Sequence, residues 1–342
     1  MTAIGAQTVL REKSRMTALK SGPASPPTPS PGSGLDEAHA VSRRITQLSL
    51  GTAVVLIVLK TFALGASGSV SILASLADSG LDLLASLAAF LAVRWAAAPA
   101  DDEHRYGHGK AEALAGLVQS GLILASSVFI GWEAVQRMFD PRPVTAGSWA
   151  VGVMVISILV TAGLVWLQTR ALKKTRSLAV AGDRAHYAAD MAANVVVLIG
   201  VVSGSFLNAP GLDAAAGLVV AIWLFWGAVG LMRSSADHLL DRTVPDAERV
   251  TIVKAVLADG RISGVHQLRT RMVGQALQVQ MHIDLDGSLN LNQAHHIVVE
   301  AEQRILAAFP YADILIHADP RGGEGVKAPV SPEATTPSGP WA

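Results

Sequence analysis

The sequence predicts an α-helical membrane protein, with six transmembrane helices followed by a small cytoplasmic α+β domain of ferredoxin-like, αββαβ type. Three observations predict it. Of 342 residues, 51% are hydrophobic and only 16% charged, whereas a soluble domain carries about 25% charged residues. The apolar residues fall into blocks long enough to cross about 30 Å of hydrocarbon as helices of about 20 residues. Past residue 240 the composition turns charged and balanced, and helix and strand periods follow in regular order.

Residues 1–40 are rich in Ser, Pro, Gly and Thr, as in SGPASPPTPSPGSG. They lack the apolar periodicity that could offset chain entropy, so a disordered N-terminal tail is expected. The transmembrane domain is expected over 41–239, with apolar blocks at about 44–66, 69–97, 112–139, 148–172, 181–206 and 210–237. Basic residues cluster before the first block (Arg43, Arg44), between the second and third (Arg94, Arg105, Lys110), between the fourth and fifth (Lys173, Lys174, Arg176) and after the sixth (Arg233, Arg242). Under the positive-inside rule this alternation places both termini in the cytoplasm.

The cytoplasmic domain is expected over 240–320. Pro245 and Asp246 open a helix running to about 259, VHQLRTRMV and ALQVQMHIDLD read as strands, a helix covers about 291–309, and ADILIHAD closes the set. In the second strand Leu277, Val279, Met281, Ile283 and Leu285 alternate with polar neighbours, the signature of a half-buried strand. Residues 321–342 read as a second disordered tail.

The formal net charge is zero, which excludes a strongly basic nucleic-acid binder, since such binding depends on summed charge of one sign. With no cysteine in the chain, disulfides, thiolate metal sites and cysteine nucleophiles are excluded as well. Any transition-metal site must use His, Asp and Glu. Asp78 and Asp82 in the second block, and His186 and Asp190 in the fifth, are each spaced i, i+4 and so share a helix face. A charge near the bilayer centre costs at least about 2.5 kcal/mol, and intramembrane ionisable groups default to function. Three carboxylates and one imidazole can supply a tetrahedral shell that suits Zn²⁺ and tolerates Fe²⁺, Mn²⁺ or Cd²⁺. A ligating His must shed its proton, so one site can hold metal or protons.

The segments SVSILASLADSGLD, PADDEHRYGHGKAEALA, HYAAD and LLDRTVPD resemble the cation diffusion facilitator family over about residues 44–320, most closely its bacterial ferrous-iron and zinc efflux pumps. The resemblance implies a homodimeric, proton-coupled antiporter of the inner membrane. It would export divalent transition-metal cations (Zn²⁺ and Fe²⁺, with Cd²⁺, Mn²⁺ and Co²⁺) by alternating access, and would be a secondary transporter rather than an enzyme. It implies a transport site of Asp78, Asp82, His186 and Asp190, and a loop metal site of Asp101, His104 and His108. A binuclear cytoplasmic site of His266, His282, His295, His317 and Asp319, holding Zn²⁺ as a structural and regulatory ion, is also implied, as is a charge pair of Lys110 and Asp241. Where close relatives place Gln between His317 and Asp319, this chain has Ala318. His238 and His296 read as surface histidines. No catalytic cofactor is expected, and the expected partners are metal ions, protons, the lipid bilayer and a second copy of the chain, with no nucleic acid.

Two other classes stay open from the residues alone. A membrane metalloenzyme could use the same His and Asp set with an open water position, and a metal-sensing receptor could use the C-terminal domain without transporting.

Overall fold

The computed structural model describes residues 33–67, 70–140, 148–202 and 212–322. Among them eight helices and three strands follow in the order α1 (Ser33–Ser67), α2 (Val70–Ala96), α3 (Ala111–Phe139), α4 (Ser148–Leu172), α5 (Leu178–Val202), α6 (Leu212–Leu239), α7 (Asp246–Leu257), β1 (Gly264–Val273), β2 (Ala276–Leu285), α8 (Leu291–Ala308) and β3 (Ala312–Pro320). The first six helices form the transmembrane bundle, and the rest form a small α+β unit.

Helix α1 starts at Ser33, inside the stretch expected to be a tail. Its stripe of buried residues, Ala38, Ser42, Ile45 and Ser49, begins within that stretch and follows helical spacing. Asp36 in its first turn suits the positive end of the helix dipole. The expected tail residues 1–32 and 323–342 lie outside the described residues.

Helices α1, α2, α3, α4 and α6 each hold a stretch long and apolar enough to span a membrane. The sixth, α5, carries Asp183, Arg184 and Asp190 within its 25 residues, which dilute its apolar character. Its place in the bundle explains how it tolerates them, because α5 packs against all five other helices of the bundle, and intramembrane polar groups face such interiors. Ser177 caps its start by accepting from the Val180 amide at 3.2 Å. The outer surface of the bundle is apolar, with Phe62, Phe129, Trp132, Leu159, Val219 and Trp226 all exposed, as a lipid-facing surface requires.

In the α+β unit the sheet order is β1-β2-β3, with β1 and β2 antiparallel and β2 and β3 parallel through the α8 crossover. An Asn290 capping box with Gln293 starts α8. The alternating residues of β2, Leu277, Val279, Met281, Ile283 and Leu285, are buried against Ile252 and Val256 of α7 and Ile297, Ala301 and Ile305 of α8. Both helices therefore cover one face of the sheet, and the polar alternates of β2 are left to the other.

The two units are joined at the tip of the β1–β2 hairpin. Gly274 has φ +59°, which glycine tolerates and L side chains rarely do. A Cβ there would meet the Gly109 Cα at 2.9 Å, so the hairpin tip lies directly on the α2–α3 loop. Beside it the buried Gln275 donates to Ser42 of α1 (3.1 Å) and to Glu112 of α3 (2.8 Å).

Candidate metal centres

Three groups of His and Asp side chains come together, and in each the donor atoms lie within 4.8 Å of one another. The first is in the bundle. The four-residue period of α5 puts His186 and Asp190 on one face, with His186 Nε2 3.6 Å from Asp190 Oδ2. Asp82 arrives from α2 and places Oδ1 3.2 Å from the same nitrogen. The Asp82 side chain is 7% exposed and that of His186 12%. Asp78, one turn earlier on α2, is exposed and its carboxylate stands outside this group. The expected set of four thus assembles as three, with Asp78 a helical turn away.

A buried polar network braces the first group. Asp183, one turn before His186 on α5, is fully buried. It accepts from Ser86 of α2 at 3.1 Å and from Gln168 of α4 at 2.8 Å. Gln168 also donates to Ser49 of α1 at 3.0 Å, and the Tyr187 hydroxyl donates to the Ser49 carbonyl at 3.1 Å. Asp183 was not among the expected residues, although a second acidic residue in an apolar helix is a readable signal. In the same region Lys60 of α1 is 4% exposed and donates to Ser79 at 2.5 Å.

The second group lies in the α2–α3 loop. Asp101 Oδ1 accepts the backbone amides of His104 (2.6 Å) and Glu103 (3.0 Å), closing a turn that brings both histidines back onto it. Those amides, that of His104 first, hold the Asp101 carboxyl below its ordinary range. His108 Nε2 stands 3.2 Å from Asp101 Oδ2, and the His104 and His108 rings are 4.6 Å apart. His108 is buried under Trp95, and its Nδ1 has no hydrogen-bond partner. All three residues expected here come together.

The third group follows from strand register. His266 pairs with His282 across β1 and β2, and His282 pairs with His317 across β2 and β3, so three imidazoles form a row on the face that α7 and α8 leave open. Asp319 sits among them, with Oδ2 2.8 Å from His282 Nδ1 and 3.5 Å from His266 Nε2, and Oδ1 3.2 Å from His317 Nε2. Asp284, on the same face of β2 as His282, adds a contact to His266 at 3.3 Å; it was not expected, though its i+2 spacing from His282 marks it. His295, on the exposed side of α8, stands outside the close group of His266, His282 and Asp319. The imidazole and carboxylate donors fit a borderline divalent cation, and His266, His282, His317 and Asp319 are the residues that would hold one.

The charge pair also forms. Lys110 Nζ is 2.9 Å from Asp241 Oδ1, and Arg271 of β1 approaches the other oxygen at 3.0 Å. Burial alone would raise the Asp241 carboxyl, but the two cations hold it below its ordinary range. Arg271 makes the pair a junction of α3, the end of α6 and the α+β unit.

Each of the two units matches a described protein family. The family description "Cation efflux transmembrane domain" matches residues 46–240, and "Cation efflux protein, cytoplasmic domain" matches 244–321. The cation-efflux pump FieF of Cronobacter sakazakii is 39% identical over 285 residues, covering 82% of this chain and 95% of that one. FieF of Salmonella arizonae is 40% identical over 268 residues, covering 78% and 89%. A solved structure of CzrB, assigned only provisionally as a zinc transporter, is 30% identical over 23% of this chain and 99% of its own, with a TM-score of 0.23.

Proposed function

This chain belongs to the cation diffusion facilitator family and is a membrane transporter of metal cations rather than an enzyme, and on that premise we propose that it is a proton-coupled antiporter. Its cargo is Zn²⁺ and Fe²⁺, with Cd²⁺, Mn²⁺ and Co²⁺ as further substrates, exported from the cytoplasm by alternating access. The observation that carries this reading is the meeting of Asp82, His186 and Asp190, from two apolar helices, within 4.8 Å.

The arrangement supports exchange for a simple reason. A divalent ion entering the bundle loses its hydration shell, and two carboxylates and an imidazole replace part of it. Asp78, one turn before Asp82 on α2, completes the shell if its side chain turns inward. Because His186 binds metal only when neutral, and the carboxylates only when ionised, a proton and a metal exclude each other at the same atoms. Metal loads at the cytoplasmic side, the helices rock, and protons from the far side displace it. Anchoring of α5 to α1, α2 and α4 through Asp183, Gln168, Ser86 and Tyr187 keeps His186 aimed at Asp82 while the helices move.

The remaining features fit a homodimer of the bacterial inner membrane with both termini in the cytoplasm. The loop group and the sheet-face group supply cytoplasmic metal sites, and a divalent ion held on the sheet face would tie the three strands together.

The test is metal flux into proteoliposomes under an imposed pH gradient, comparing the parent with Asp190→Ala across several metals. The proposal expects gradient-dependent flux in the parent and its loss in the variant. Equal flux in both would remove the site, and flux indifferent to pH would remove the antiport.

A further inference from the structure

Lys60 is an ammonium buried to 4% exposure within the bundle, on a helix that otherwise reads as a membrane span. Burying a cation among apolar helices is costly unless negative charge is near, and such residues mark functional positions. Its hydrogen bond to Ser79, at 2.5 Å, fixes where the charge sits. Ser79 lies three residues before Asp82 on α2, so the two are neighbours on one helix face, about 5–6 Å apart at Cβ. The ammonium is thus within electrostatic reach of Asp82, and of Asp78 and Asp190 as well.

We propose that Lys60 is a resident counter-charge of the transport site, tuning how tightly the cargo is held; the inference rests on the site proposed above. With His186 neutral as a ligand, Asp78, Asp82 and Asp190 carry three negative charges. A bound divalent ion supplies two positive charges and Lys60 the third, which offsets the charge of these three carboxylates in a region where net charge is expensive. The same ammonium repels the cargo. Cargo is therefore held less tightly than three carboxylates alone would hold it, and it leaves more readily. Ser79 is the tether that keeps the ammonium beside the ligands without making it one.

At a separation of several ångströms and an effective dielectric of about 20, repulsion between a unit charge and a divalent ion is worth more than tenfold in affinity. Zinc affinity of the full chain is measured at fixed pH by calorimetry, in a background carrying His108→Ala and Asp319→Ala to disable the other two groups. Lys60→Met is expected to lower the Kd by about tenfold or more and to slow zinc release in stopped flow. Lys60→Arg, which keeps the charge, should stay within about threefold of the background. Lys60→Gln keeps a donor for Ser79 without the charge and should follow Lys60→Met, which separates charge from packing. If the Met and Gln variants bind zinc as the background does, or more weakly, Lys60 is not a counter-charge and the inference fails. Asp190→Ala in the same background separates the two readings. Loss of the remaining zinc site there upholds the transport site whatever Lys60 does, and its persistence overturns that site and this inference with it.

Discussion

The cluster in the bundle and the cluster on the sheet face use the same two side-chain types, imidazole and carboxylate, at similar distances, yet they differ in what surrounds them. Asp82, His186 and Asp190 are enclosed by apolar helices, with an ammonium close by and a hydrogen-bonded carboxylate one turn away. His266, His282, His317 and Asp319 lie on an open sheet face, positioned by strand register alone. Ligand chemistry is thus shared, and the cost of leaving the ligands without a cation differs. In the bundle that cost is high, which suits a site that is never without metal or protons. On the sheet it is low, which suits a site that responds to metal level.

The sharpest way to break this contrast is to remove one carboxylate from each cluster. Asp82→Ala should reduce zinc flux in proteoliposomes by on the order of 100-fold or more, exceeding what loss of an outer-shell partner costs, while Asp319→Ala should leave flux within a few-fold of the parent. Comparable losses in both would mean that the two clusters act as one.

Much of this contrast was legible in the sequence. The αββαβ order followed from the alternation in β2 and the helical periods on either side of it. The pairs Asp78/Asp82 and His186/Asp190 were marked by their spacing in apolar helices. Contacts between elements were not legible, because helical periodicity says which face a residue occupies but not which neighbour that face meets. Asp78 and Asp82 share a face, yet only Asp82 reaches His186. Gln275 is an unremarkable hairpin residue until it is seen to reach Ser42 and Glu112. The start of α1 was missed because the neighbouring Pro- and Ser-rich composition masked a buried stripe that begins at Ala38.

A second prediction probes the sheet-face cluster by itself. The α+β unit has its own core, so residues 240–322 can be studied alone. Zinc at about 100 times its Kd should stabilise this piece by about 2.7 kcal/mol, a rise in Tm of roughly 10 °C or more for a unit of this size. His282→Ala should abolish the rise, and a rise that survives would place the metal elsewhere.

The hairpin latch gives a smaller effect. Gln275→Ala removes the donor to Ser42 and Glu112 and leaves the buried Glu112 less satisfied, at a cost of about 1–3 kcal/mol. It should appear as faster hydrogen exchange at the hairpin tip and the α2–α3 loop, with the sheet core unchanged. Uniform loosening of the whole α+β unit would contradict a local latch.

The smallest effect concerns pH. Asp259 is held down to about 2 by its hydrogen bond and charge pairing with Arg261, with Arg304 adding to it. Since its folded value is depressed, its contribution is complete above the ordinary carboxylate value of about 4 and is lost as pH falls toward 2. Denaturant midpoints of the 240–322 piece and its Asp259→Asn variant should therefore differ at pH 6 and converge as pH falls through that window. A gap that stays constant with pH would assign the effect to packing.

On the proposed reading, Asp82, His186 and Asp190 grip the transported ion inside the bundle. Zinc K-edge X-ray absorption on the full chain, with the loop and sheet-face clusters disabled by His108→Ala and Asp319→Ala, tests it most directly. The expected spectrum is that of one bound zinc with a single imidazole nitrogen and oxygen neighbours at about 2.0–2.2 Å, with the imidazole signal lost in His186→Ala. A spectrum of fully hydrated zinc, or an imidazole signal that survives His186→Ala, would contradict that reading.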